Sequence, residues 1–154
     1  MQQWLTDYEQ TLSRLHERIG ELISEAPAEA LDWSPGPEMN SLAVLVAHTA
    51  GSQRYWVGRV AGQQPLERDR PAEFRTAGLD AAELAAKLDS ALADTRQVLA
   101  GLTADDLSAG RWAPMQEREV TVGWALLHAV EHTGLHLGHM QLTCQLYDRQ
   151  ANGG

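Results

Sequence analysis

At 154 residues, with 44% apolar and 21% charged side chains, the chain has the makeup of one ordinary globular domain spanning residues 1–154. A formal net charge of −9 and a pI near 5.0 argue against nucleic acid or an anionic membrane surface as partner, since both need clustered Lys and Arg and the 12 basic residues here are scattered. The polar start MQQWLTDYEQ lacks the basic-then-apolar order of a signal peptide, no apolar run reaches the roughly 18 residues of a membrane span, and the lone cysteine, Cys144, has no internal disulfide partner; a cytoplasmic location is expected.

In chain order, the spacing of Leu5, Tyr8, Leu12, Leu15, Ile19, Leu22 and Ile23 predicts a first helix from about Gln2 to Glu25. APAEALDWSPGPEMN, rich in breakers, then interrupts. A second helix is expected after Asn40, read as its N-cap, running through SLAVLVAHTAGSQRYWVGRV to Gly62. QQPLERDRPAEFRTAG is polar and proline-marked and reads as a loop. The third helix opens at DAAE, where Asp80 caps and Glu83 reaches back as a capping box, and continues through Leu84, Leu88, Leu92 and Val98 to Gly101. TADDLSAG reads as a short helical turn capped by Thr103, and the fourth and longest helix begins near Thr121 and passes Tyr147. No β-hairpin signal, alternating strand pattern or internal repeat is visible. The expectation is an all-α protein, a four-helix bundle whose long connections after the first and second helices permit crossovers.

Three of the six histidines fall in EHTGLHLGH, residues 131–139. With a helix advancing about 100° per residue, His132, His136 and His139 lie about 40°, 80° and 20° from His128, a stripe roughly 80° wide. Trp124, Leu126, Leu127, Val130, Leu135, Leu137, Met140 and Leu142 occupy the other directions, so the fourth helix is expected to be the most buried of the bundle. Imidazoles on such a helix need partners. His132 and His136, four apart, stack one turn from each other, the spacing at which a helix offers two nitrogens to one metal. An H-x-x-x-H alone does not separate a metal pair from surface or core histidines. His48, in the apolar run AVLVAHTAG, reads alone as a satisfied core histidine and beside that pair as a third nitrogen. His16, among the charges of RLHERIG, reads as surface.

At this point the chain resembles a family. SLAVLVAHTAGSQRYWVGRVAG followed by TVGWALLHAVEHTGLHLGHMQL is similar to the DinB-like superfamily of small metal-binding helical bundles, nearest the branch related to bacillithiol- and mycothiol-dependent S-transferases. The resemblance implies a four-helix bundle with crossover connections and a divalent metal on His48, His132 and His136, zinc or nickel being the ions that imidazole suits. It also implies a homodimer and a low-molecular-weight thiol as cosubstrate. Where some members carry Glu at the middle ligand, this chain has His132, with Glu131 just before it; where HxGQ is usual, HLGH puts His139 in place of Gln.

Three neutral imidazoles with no fourth protein ligand leave positions for water or substrate. The implied activity is metal-dependent thiol S-transfer on a small-molecule substrate; a metal-dependent hydrolase and a non-catalytic, stress-associated binding module are the alternatives. No catalytic residue beyond the ligands is assigned, and no organic cofactor is expected. Glu131 has three readings: acceptor for a ligand ring, general base, or solvated side chain. His128 and His139 flank the ligands as donors or proton shuttles. Trp56 is core or a wall of the same cavity, Tyr55 and Arg54 are surface or reach a pocket mouth, and Cys144 is core with no basic neighbour to activate it. Trp4 and Tyr8, near an exposed helix start, mark a contact surface or cap the bundle's end.

Overall fold

A computed structural model describes residues 2–153. Helix α1 spans Gln2–Glu25, α2 Leu42–Gln53, the short α3 Arg70–Glu73, α4 Ala81–Ala100 and α5 Val122–Asn152. The four long helices form the expected bundle. Helix α1 packs on α4 and α5, and α2 packs on the same two, so α1 faces α2 across one diagonal and α4 faces α5 across the other. Two connections therefore cross an end of the bundle: residues 26–41, and residues 101–121 between α4 and α5. The link from α2 to α4 joins neighbours, although its length had suggested a crossover. None of the described helices is long and apolar enough to cross a membrane.

Local chemistry explains the boundaries. Asp80 accepts from the Glu83 backbone N–H at 2.8 Å while the Glu83 carboxylate accepts from the Asp80 backbone N–H at 2.9 Å, the expected capping box. Thr121 caps α5 by accepting from Trp124 N–H at 3.1 Å. Helix α2 is capped by Ser41 rather than Asn40: Ser41 takes the extended backbone of an N-cap, and its hydroxyl accepts from Val44 N–H. At Thr103 the polarity is reversed from expectation, since Asp106 accepts from both the backbone N–H and the hydroxyl of Thr103.

Three elements depart from the sequence reading. The polar loop 63–79 contains α3, capped by Asp69, which accepts from Ala72 N–H. The second helix reaches Ala61, but from Arg54 onward it widens to a π-helix. That wider turn turns Tyr55, Trp56, Val57, Val60 and Ala61 all inward. At its end, any Cβ on Gly62 would lie within 3.0 Å of Val98 side-chain carbons, so only glycine lets this helix close on α4. The third departure is a β-hairpin, β1 Gly110–Ala113 paired antiparallel with β2 Arg118–Thr121.

The most buried helix is α2, not the last one. Every residue from Ser41 to Ala50 is buried. Helix α5 instead leaves Leu127, Leu135 and Leu142 exposed at 59%, 56% and 47%. His16 is likewise not a surface residue: it is 5% exposed, and its Nε2 lies 2.7 Å from Gln53 Oε1, while Gln53 Nε2 donates to Thr95 Oγ1 at 2.9 Å. Its neighbours in sequence are charged, but its phase on α1 is that of Leu12 and Ile19, which are fully buried. This polar chain joins α1, α2 and α4 between two hydrophobic clusters, one around Tyr55, Trp56 and Leu126 and one around Ile19, Leu42, Leu88 and Met140.

Candidate metal centre

His48 projects from the buried middle of α2 toward α5, where His132 and His136 stand one turn apart. His132 Nε2 lies 3.1 Å from His48 Nε2 and 3.1 Å from His136 Nε2. One ring nitrogen from each of the three residues falls within 4.8 Å of the others. The structure thus brings together all three sequence-chosen rings.

Their outer nitrogens decide what the inner ones offer. His48 Nδ1 is 2.9 Å from Glu73 Oε2, and a carboxylate can only accept, so Nδ1 carries the proton and Nε2 presents its lone pair inward. His136 Nδ1 faces His139 Nδ1 at 3.4 Å. Burial, then the neighbouring rings, pushes His132 down to about 3 and His136 down to about 4, so both are neutral at pH 7. Imidazole nitrogens converging at this spacing leave at least one contact with no proton to bridge it and suit a cation at their centre. The donor set fits a divalent metal. Among the described residues no further His, Cys, Asp or Glu joins the group, which leaves coordination positions for a small ligand.

Glu73 is the residue that sequence reasoning missed. Burial would raise its carboxyl, but hydrogen bonds from His48 and Arg68 and the Arg68 charge outweigh that and hold it below the ordinary glutamate range. Arg68 donates to both oxygens, Nε at 2.6 Å and Nη2 at 2.8 Å. Phe74 packs on the His48 ring with centroids 4.9 Å apart. Gly51, one turn after His48, belongs to the same arrangement, since a Cβ there would collide with the Glu73 carboxylate.

Glu131 is a largely solvated side chain, 3.4 Å from His128 Nδ1. His128 lies with its ring stacked on Trp124 and edge-on to Trp56, its centroid 5.9 Å from that of His132. Trp56 is 4% exposed and belongs to the core beside His128 rather than to the triad itself. Tyr55 is buried, not surface: its hydroxyl donates to Gln116 Oε1 at 2.8 Å and accepts from Met115 N–H at 2.9 Å, pinning the hairpin tip. Arg54 pairs with Asp94 and lines a cavity that Gly51 and Glu73 also line. Cys144 is half-buried, and burial raises its thiol. Tyr8 is buried and stacks with Trp4, and both line a cavity beside exposed Leu127 of α5.

A mostly helical bundle with three converging imidazoles defines the class. A sequence profile of the DinB superfamily matches residues 7–140, and the chain belongs to that superfamily. Its fold is shared with YfiT from Bacillus subtilis, described as a probable metal-dependent hydrolase with an unusual four-helix bundle topology (18% identity, 96% of this chain and 87% of that one, TM-score 0.76). A conserved protein from Enterococcus faecalis aligns over 92% of this chain and 95% of its own at 22% identity and TM-score 0.70. A mycothiol-dependent maleylpyruvate isomerase aligns over 88% of this chain but only 60% of its own, at 14% identity and TM-score 0.67. No curated protein matches the sequence.

Proposed function

We propose that the protein is a metal-dependent enzyme that holds one zinc or nickel ion on His48, His132 and His136 and joins a low-molecular-weight thiol to a small electrophile. The observation that carries this is the convergence of three imidazole nitrogens with no fourth protein donor among the described residues. An open three-histidine site is the catalytic form, whereas structural sites are usually closed by four protein ligands. Bound there, the ion would act as a Lewis acid and keep a coordinated thiol or water ionised at neutral pH. The chain's own residues do the rest. Glu73 orients His48, Phe74 walls the site beside that ring, and His128 and His139 stand on either side of the ligand pair where an imidazole can take up or return a proton.

Two neighbours bear on the choice of reaction. The isomerase is by its description mycothiol-dependent, which supports a thiol as the attacking group; YfiT, described as a probable metal-dependent hydrolase, supports water instead. Both readings use the same open position. The test mixes metal-loaded protein with a chlorinated nitroaromatic and a panel of thiols including bacillithiol and mycothiol, and in parallel with simple esters and amides. Metal-dependent thioether formation, lost in His136→Ala, supports S-transfer. Hydrolysis alone supports the second reading, and neither activity points to a non-catalytic metal-binding module. We also propose that the molecule works as a homodimer in the cytoplasm.

A further inference from the structure

Resting on the metal reading of the triad, we infer that Glu73, gripped by Arg68, is a positioning residue: it fixes the tautomer and aim of His48 and is itself held out of the ligand set. A histidine on α2 has two nitrogens and a ring free to flip, and only one tautomer and one orientation send a lone pair toward α5. Something must take the other nitrogen's proton. The loop that follows the π-helix supplies it, carrying the Glu73 carboxylate to 2.9 Å from Nδ1.

Two features show that this placement is built in. The carboxylate fills the space where a side chain at residue 51 would begin, so Gly51 is required for Glu73 to reach the ring. And Glu73 is not free to swing: Arg68 forks onto both oxygens, leaving Oε2 shared between Arg68 and His48 and Oε1 committed to Arg68. Both side chains are sheltered, at 10% and 8% exposure. Arg68 in turn lies over the Tyr55 ring, 5.7 Å from its centroid, and Tyr55 is the residue that ties down the hairpin tip. An unclamped carboxylate could swing inward and compete as a ligand, whereas Glu73 as held stands outside the group of converging nitrogens. The fork keeps it there while leaving it anionic enough to strengthen His48 as a donor.

The experiment uses the full chain, purified metal-free and titrated with zinc against a chromophoric chelator. Outer partners of metal-bound histidines are typically worth about 10- to 100-fold in affinity. Glu73→Gln, which keeps an acceptor but loses the charge, should weaken zinc binding about tenfold, and Glu73→Ala nearer a hundredfold. Glu131→Gln, which alters the solvated carboxylate beside His128, should change nothing. Independently of metal, two-bond proton–nitrogen correlation spectra of histidine-labelled apo protein should show His48 as the Nδ1–H tautomer in the wild type and as a mixture in Glu73→Ala. Wild-type zinc affinity in both Glu73 variants, or an unchanged His48 tautomer in Glu73→Ala, overturns the inference. If His132→Ala binds zinc as tightly as the wild type, the metal centre is elsewhere, and the apo spectra still decide what Glu73 does to His48.

Discussion

His132 Nε2 sits midway between two other imidazole nitrogens, 3.1 Å from His48 Nε2 and 3.1 Å from His136 Nε2. It can donate one proton to one of them at most, and the remaining contact is then lone pair against lone pair. With His48 already donating outward to Glu73, the inner space is rich in acceptors and short of donors. A divalent cation resolves that mismatch for all three rings at once.

The chain should therefore bind one divalent ion per molecule, measured by chelator competition with elemental analysis for stoichiometry. Replacing His48, His132 or His136 with Ala should each cost at least about a hundredfold, since two imidazoles make a far poorer site than three. His128→Ala should cost less than about threefold, because that ring packs on Trp124 and Trp56 rather than on the converging nitrogens. Equal losses at His128 and His132 would mean that the stripe, and not the triad, is the site.

The apo protein should lose stability as the medium is acidified from about pH 7 toward pH 4. His132 and His136 are pushed down to about 3 and about 4 in the fold, and burial lowers buried His16 as well, against about 6.5 for an unfolded histidine. Between those limits the unfolded chain holds more protons, so stability rises with pH and is full only above the unfolded value. Thermal melts of metal-free protein should show Tm falling by roughly 5 °C or more across this range. In His132→Ala/His136→Ala, much of that slope should vanish. A saturating divalent ion should raise Tm at pH 7 and lose its effect as protons displace it.

The chain His16, Gln53, Thr95 should be structural and independent of metal. His16→Ala leaves a cavity and strips Gln53 Oε1 of its partner, a loss of about 2–4 kcal/mol in a urea melt. Zinc affinity should stay within about twofold of wild type, because His16 touches none of the three ligands. A coupled loss of affinity would place this polar chain within the metal centre's support.

How far the sequence carried depended on which interactions were local. The capping box at Asp80 and Glu83, the helix start near Thr121 and the triad were legible because their spacing is set within one helix, or, for His48, by resemblance. Glu73 was not legible: it reaches His48 from a loop 25 residues on, and nothing local distinguishes it from the other acids of a polar stretch. The hairpin escaped notice because its strands are four residues each and its loop, PMQE, carries neither Asn-Gly nor Asp-Gly. The relative burial of α2 and α5 was misjudged for a different reason. An all-round apolar helix can be covered by its own chain or leave one face for another molecule, and periodicity alone does not say which.

That uncovered face yields the last prediction. Trp124, Leu127, Leu135 and Leu142 stand exposed on one side of α5, with Gly134 and Gly138 among them, and a Cβ built on either glycine would meet only open space. Glu131, largely solvated, lies on the same side. In the expected dimer a two-fold axis would pass between Gly134 and Leu135, setting each Leu135 over the partner's bare glycine and each Leu127 beside the partner's Leu142, the isologous pattern. Shallow cavities of about 210 Å³ adjoin both ends, one containing Leu127 with Trp4 and Tyr8, the other Leu142 with Met39 and His139. Each leaves room for an incoming leucine. Light scattering at micromolar concentration should then give twice the 16.9 kDa of one chain. Leu135→Glu, which buries two charges near the axis, should return it to monomer with the fold intact by dichroism, while Ala86→Glu, at an exposed position on α4, should not. A wild-type mass of one chain, or a Leu135→Glu variant that stays dimeric, would remove α5 as the contact.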